Sequence, residues 1–270
     1  MRYYFLLIFV GSFFIGFTQD KIVTQPGEYV EAQNFGGKKE FKRFIQNEMN
    51  YPKVALENKV EGTVVVAAVV DSKTGKVSNI HVKESVSEEL DMEALRLFKM
   101  ILFTPTFYKG DDVITYNSLK FKFSIKNYKR YCKKREYENV LEKYENVLDT
   151  FKVFEDNQVR IKPVILFEDS LETMSSFIQK NLKYPQGTLS LNITGIVKLR
   201  FVVEPSGRIT NVKVQRSVGG GATEEAIRLL LLTKWKAGER DDGKVRVSKI
   251  FEVDFNLSNE SGMGIAPNSY

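Results

Sequence analysis

GIVKLRFVVEPSGRITNVKVQRS, residues Gly195 to Ser217, reads as one β-hairpin. Val197, Leu199, Phe201 and Val203 fall on alternate positions, with Lys198 and Arg200 between them. That period of two gives a strand with one face in a core and one in water. Pro205-Ser206-Gly207 supplies the reversal, proline pre-setting φ and glycine accepting a positive φ. The return strand is expected to turn Val212 and Val214 inward and Asn211, Lys213 and Gln215 outward. The same hairpin occurs earlier as GTVVVAAVVDSKTGKVSNIHVKES, Gly62 to Ser85.

The repeat extends well beyond the hairpin. FIQNEMNYP, starting at Phe44, returns as FIQKNLKYP at Phe177, an offset of 133 residues that Gly62 and Gly195 share. The turn glycines Gly75 and Gly207 are 132 apart, so the first turn carries one extra residue. Each hairpin is followed by a helical stripe, Leu90, Ala94, Leu97, Phe98 and Ile101 in one copy and Ala226, Leu229, Leu230 and Thr233 in the other. Phe103 and Trp235 come next in equivalent places. Each copy closes with an alternating strand, through Leu119, Phe121, Phe123 and Ile125, and through Val245, Val247, Phe251, Val253, Phe255 and Leu257. A period near 130 residues means duplicated domains, not a solenoid, whose repeats run about 20–50 residues.

At 270 residues, 43% hydrophobic and 27% charged, the chain has the composition of a folded protein with room for two domains. The net charge of +6 suits an anionic surface such as phospholipid, lipopolysaccharide or cell-wall polymer, or a basic exterior solvated throughout. No basic cluster interleaved with aromatics argues for nucleic acid. Cys132 is the only cysteine, which rules out an internal disulfide, and His81, the only histidine, falls on the outward phase of a strand. With one of each there is no Ser-His-Asp or Cys-His set, and no phosphate-binding G-x-x-x-x-G-K-S/T loop occurs, so no catalytic residues, metal ligands or cofactor are expected. Asp71 and the pair Asp111-Asp112 read as turn and loop carboxylates.

Residues 1–19 read as a signal peptide, cleaved near Gly16-Phe17-Thr18-Gln19, or as a short anchor. The apolar run Tyr3 to Phe17 is shorter than the roughly 20 residues a membrane span needs. Gly36-Gly37 opens a helix through Phe41, Phe44, Ile45 and Met49 that stops before Tyr51-Pro52. In the second copy Pro163 to Phe167 reads as extended, and Asp169-Ser170-Leu171-Glu172 as a capped helix start. Domains are expected over 29–126 and 163–257, joined by a linker over 127–162 and followed by a flexible tail over 258–270. The linker holds two near-identical heptads, YENVLEK and YENVLDT, whose apolar face from Tyr137 to Phe151 suits a helix packed on a domain or a homodimer through Arg135–Phe151.

Both copies resemble the C-terminal domain of TonB, the periplasmic energy transducer of Gram-negative bacteria. The resemblance rests on an ordered series. In copy two it runs Tyr184-Pro185, Gly195, Ser206-Gly207-Arg208-Ile209, Val212-Lys213-Val214, Ser217, Glu225-Ala226 and Trp235-Lys236-Ala237-Gly238. Copy one gives Tyr51-Pro52, Gly62, Thr74-Gly75-Lys76-Val77, Ser85, Leu90 to Ala94 and Phe103-Thr104-Pro105, with Phe35-Gly36-Gly37 ahead of the first helix. The resemblance implies an α+β fold, in each copy a small antiparallel sheet packed against helices. It implies a non-enzymatic, periplasmic protein, with an inner-membrane anchor facing the periplasm as the alternative. Its partner would be the TonB box, a short peptide of outer-membrane TonB-dependent transporters, added as a strand beside the domain's last strand. That places the candidate site on Val245, Arg246, Val247, Ser248, Lys249, Ile250, Phe251, Glu252, Val253 and Asp254. The equivalent edge in copy one, Leu119, Lys120, Phe121, Lys122 and Phe123, ranks second because outward lysines discourage pairing.

A motor-coupled member would also engage an inner-membrane proton-channel complex, through a histidine in its anchor and a long proline-rich spacer. Here the apolar run has no histidine, and only Pro26 lies between it and copy one. The stretch from Phe17 to Glu31 reaches at most roughly 50 Å and averages about 20 Å. The alternative reading is an envelope scaffold that binds other envelope proteins or peptidoglycan.

Overall fold

The computed structural model describes residues 29–30, 32–105, 107–108, 115–137, 151–167, 169, 171–241 and 243–256. The apolar leader, the heptads from 138 to 150, Asp111-Asp112 and the tail lie outside the described residues.

The first domain begins with β1 (Tyr29–Val30), α1 (Gly37–Glu48) and α2 (Lys53–Glu57). The early hairpin is β2 (Gly62–Val70) and β3 (Val77–Glu84); then come α3 (Glu88–Met100), β4 (Phe107–Tyr108), β5 (Thr115–Phe123) and α4 (Ile125–Arg135). β3, β2 and β5 form an antiparallel sheet in that order, and β1 pairs with β4. Phe44, Val64, Val66, Leu90, Leu97, Phe98, Phe121 and Phe123 fill its core.

The second domain opens with β6 (Val153–Phe154), a 3-10 turn (Asp156–Gln158) and β7 (Val164–Ile165). After α5 (Met174–Asn181) and α6 (Gln186–Ser190) the later hairpin forms β8 (Gly195–Val203) and β9 (Ile209–Arg216). α7 (Ala222–Leu232), β10 (Trp235–Lys236), β11 (Gly238–Arg240) and β12 (Gly243–Phe255) complete it. The sheet runs β11-β12-β8-β9, with β6 added beside β12. Its core is separate: Val197, Leu199, Phe201, Val203, Leu229, Leu230, Phe251, Val253 and Phe255.

The duplication holds in three dimensions. In the first domain Glu93 accepts the Asn50 N–H at 2.7 Å, while Arg96 binds Glu93 and donates to the Glu48 carbonyl at 2.6 Å. In the second, Glu225 accepts the Lys183 N–H at 2.7 Å, and Arg228 binds Glu225 and donates to the Asn181 carbonyl at 2.5 Å. Each pair ties α3 or α7 to the end of the helix before the Tyr-Pro step. Tyr51 then meets Phe123 edge-on at 5.9 Å, as Tyr184 meets Phe255 at 5.7 Å. The hairpin turns differ as expected: Gly207 N–H closes on the Glu204 carbonyl three residues back, Gly75 N–H on the Asp71 carbonyl four back.

Three readings need correction. Register shifts interrupt each hairpin at equivalent places, between Ala67 and Val69 and between Arg200 and Val202. Opposite them Asn79 and Asn211 take positive φ, 50° and 53°. The bulge turns the Asn211 side chain away from solvent, where it accepts from Leu102 N–H at 2.8 Å and donates to the Met100 carbonyl at 3.0 Å. Next, α5 starts at Thr173, whose hydroxyl accepts the Ser176 N–H, rather than at Asp169, whose carboxylate only closes a local turn on Leu171 N–H. Finally, α4 closes at Glu136, in the left-handed region at φ 62°, so no helix runs unbroken from Arg135 into the heptads.

Polar side chains join the domains. α1 lies along the free edge of β9: Arg43 donates to the Ile209 carbonyl at 3.0 Å, and Glu40 accepts the Val212 N–H at 3.2 Å. Glu48, fully buried, takes both arms of Arg208 at 2.7 and 2.9 Å. The free edge of β9 is thereby covered by the first domain.

Candidate functional site

β12 pairs with β8 from Val247 to Phe255, and β11 folds back on Gly243, Lys244 and Val245 ahead of that pairing. On the edge away from β8, β6 pairs in parallel with Arg246 and Val247. From Ser248 to Phe255 no strand among the described residues takes that edge. Those eight residues span about 26 Å, and in a strand about half of them turn their N–H and C=O to a given side.

The expected site residues therefore divide. Val245, Arg246 and Val247 are covered and buried, Val245 and Val247 packing on Phe154 in a small cluster. Arg246 is engaged entirely within the protein, by Glu204, the Phe151 carbonyl and the Met100 carbonyl. Ser248 accepts from Arg200 at 2.8 Å, and Lys249 pairs with Asp156 at 2.5 Å, so the 3-10 turn sits over this pair. Ile250, Phe251, Glu252, Val253 and Asp254 remain along the open edge.

Their side chains alternate as the period predicts. Phe251 and Val253 are buried, whereas Ile250, Glu252 and Asp254 face solvent. Cross-strand partners decorate that outer face: Ile250 lies opposite Arg200, Glu252 opposite Lys198 with an ion pair at 2.9 Å, and Asp254 opposite Ile196. Ile250 is half exposed, an apolar foothold among charges.

In the first domain Leu119, Lys120, Phe121, Lys122 and Phe123 all lie on β5, whose one strand neighbour among the described residues is β2. Phe121 and Phe123 are core residues, and Lys120 and Lys122 point to solvent. The two candidate edges are not brought together into one groove; each belongs to its own sheet.

Sequence reasoning missed the chain's own use of the edge. Val153-Phe154 is too short to show a period, yet it adds to β12 as a parallel strand. Phe154 is held there by Val245 and Val247 on one side and by Lys152 and Arg240 over its ring at 4.8 and 4.7 Å. The chain then runs on to Ile161, which bridges Glu239 on β11.

Other polar groups carry structure. Asp71 accepts Thr74 N–H at 2.7 Å and the Thr74 hydroxyl, which hold its carboxyl below the usual range. His81 is exposed, its Nδ1 2.9 Å from the Asn79 carbonyl. No group of three potential metal ligands occurs among the described residues, and none of their helices is long and apolar enough to cross a membrane.

Compared with protein-family models, residues 47–125 and 180–257 both match the one described as Gram-negative bacterial TonB protein C-terminal. No curated protein and no solved structure gives a match.

Proposed function

Because the chain belongs to the Gram-negative TonB C-terminal family and carries its domain twice, we propose that it receives an extended peptide of an outer-membrane TonB-dependent transporter as an added strand on β12. The family implies a TonB-like role in envelope transport, and its domain is a non-catalytic protein-interaction module. Within that role the contact runs along Ile250, Phe251, Glu252, Val253 and Asp254, beyond Ser248 and Lys249, which Arg200 and Asp156 hold. The observation that carries this reading is the edge of β12 away from β8, paired by β6 at Arg246 and Val247 and unpaired from Ser248 onward among the described residues.

Main-chain groups supply most of the affinity in strand addition, and side chains tune the choice of peptide. The intramolecular strand β6 supports the reading, because it already extends this edge in parallel. β5 of the first domain is the weaker second site, its outward Lys120 and Lys122 acting against pairing.

The test is fluorescence anisotropy of the full chain with a synthetic peptide from the N-terminus of such a transporter. Binding is expected, and N-methylation of two alternate peptide amides should weaken it roughly thirty-fold, at about 1 kcal/mol per main-chain hydrogen bond. Absence of binding where an established transducer binds the same peptide, or indifference to N-methylation, overturns the proposal.

A further inference from the structure

We propose that the paired α1–α4 face of the first domain is a docking surface for an anionic phospholipid bilayer. These two helices carry ten basic and two acidic side chains, a net +8 that exceeds the +6 of the entire chain. The charge is concentrated, not spread over the exterior, and α4 is itself a basic cluster interleaved with Tyr128 and Tyr131, which the sequence reading did not find. The helices are locked side by side: Arg135 donates to the carbonyls of Gln46, Asn47 and Met49 at the end of α1, the last at 2.8 Å. Both acidic groups are engaged internally, Glu40 by Arg43 and Glu48 by Arg208.

The cations left over are mainly lysines. Arg43 is held by Glu40 and the Ile209 carbonyl, and Arg130 by Asn127 at 3.1 Å and the ring of Tyr131. Lys38, Lys39, Lys42, Lys126, Lys129, Lys133 and Lys134 are exposed and pair with no carboxylate among the described residues. An ammonium on a flexible stem lacks the fork geometry for one fixed anion, and suits many headgroups held at one depth. Along helices of 12 and 11 residues, about 16–18 Å long, Lys39, Lys42 and Lys134 line one groove and Lys129 and Lys133 a second.

A second feature favours lipid over a charged polymer. A groove of about 370 Å³ opens where α1 and the end of α4 meet the second domain. Lys39, Lys42 and Lys134 stand on it beside an apolar lining of Val214, Ile227 and Leu231. Cations beside an apolar trough match a phosphate headgroup above the start of an acyl chain; a cell-wall glycan has nothing to put there. The face also lies on the copy that follows the apolar run, Gly37 standing 20 residues after Phe17.

The experiment is co-sedimentation of the full chain with vesicles of phosphatidylglycerol in phosphatidylcholine, against phosphatidylcholine alone, which subtracts any contribution of the apolar run. Preference for the anionic vesicles is expected, falling steeply with salt. The variant Lys129→Gln/Lys133→Gln/Lys134→Gln should lose about five-fold in partitioning per lysine, the ordinary contribution of one basic residue near an anionic leaflet. Its peptide binding on β12 should stay unchanged, which separates this surface from the strand site. Lys180→Gln/Lys234→Gln/Lys236→Gln removes the same charge from the second domain and should partition like the parent chain. Equal binding to both vesicles, equal losses in the two triple variants, or binding to peptidoglycan sacculi without binding to vesicles would each overturn the proposal.

Discussion

Arg246 and Glu204 form a two-armed ion pair, Nε to Oε2 at 2.8 Å and Nη2 to Oε1 at 2.9 Å, with side-chain exposures of 0% and 1%. The Thr210 hydroxyl also donates to Glu204, and two more guanidinium protons reach the Met100 and Phe151 carbonyls. The pair thus fixes the start of β12 to the end of α3, across the two domains. A buried, well hydrogen-bonded ion pair adds little net stability, but removing one partner strands a charge. Arg246→Met is expected to cost about 3–5 kcal/mol in urea unfolding, and Arg246→Met/Glu204→Leu to recover much of that loss. An additive loss in the double variant would show that the pair does not act as a unit.

Glu93 and Glu225 make a sharper test of the duplication, because each should matter only in its own domain. Glu93→Gln keeps an acceptor for the Asn50 N–H but loses the charge that holds Arg96. Glu93→Ala removes both and leaves a backbone N–H without its partner in a mostly buried place. Hydrogen bonds to charged groups contribute about 1.5–3 kcal/mol, so Ala should cost about that and Gln distinctly less. Amide exchange should accelerate at Asn50 in the Glu93 variants and at Lys183 in the Glu225 variants, without crossing over.

Much of this was legible because period and spacing are local properties. Val197 to Val203 alternate in the sequence and alternate in the core, and the Phe44/Phe177 offset survives as matching contacts between Tyr51 and Phe123 and between Tyr184 and Phe255. The bulges at Asn79 and Asn211 were not legible, since one extra residue in a strand changes no composition. Ile125 reads as the end of the closing strand and the residues from 127 as linker, whereas Ile125–Arg135 is a helix because Tyr128 reaches the core beside Tyr51. Of the site, the identity of the strand was legible but its coverage was not. Which backbone lies next to Arg246 depends on Val153 returning from nearly a hundred residues earlier, and a two-residue strand has no period to read.

Gly75 and Gly207 connect the turn chemistry to packing. Their φ values are 70° and 82°, and a Cβ at these positions would stand 2.3 Å from the Phe103 carbonyl oxygen and 2.1 Å from that of Trp235. Both the left-handed backbone and the close approach exclude a side chain, and the obstacle is backbone. Gly207→Ala should therefore destabilise by well over 1 kcal/mol, more than conformational freedom alone accounts for. Thermal melts would check it, with Gly37→Ala for comparison. Gly37 has a similar φ of 62°, but a Cβ there would meet nothing within 4 Å, so it should lose less.

Three tyrosines around α4 make the first domain sensitive to alkali. Burial raises the hydroxyl pKa of Tyr51 and Tyr137, and burial together with the Cys132 thiol pushes Tyr128 up to about 12. Tyr51 and Tyr128 lie 5.4 Å apart between ring centres, and the Tyr137 hydroxyl donates to the Asn47 carbonyl at 2.9 Å. A raised folded-state pKa means that the native protein holds its proton where the unfolded chain, titrating near 10, releases it. The stabilising contribution is then complete below about pH 10 and is lost as pH climbs toward 12. Denaturant midpoints measured from pH 8 upward should hold steady and then fall above about 10, with phenolate absorbance appearing late and together with unfolding. Tyr128→Phe removes one titrating group, so it should flatten that fall even if it lowers the plateau. An unchanged slope in this variant would show that Tyr128 is not among the groups that set the alkaline limit.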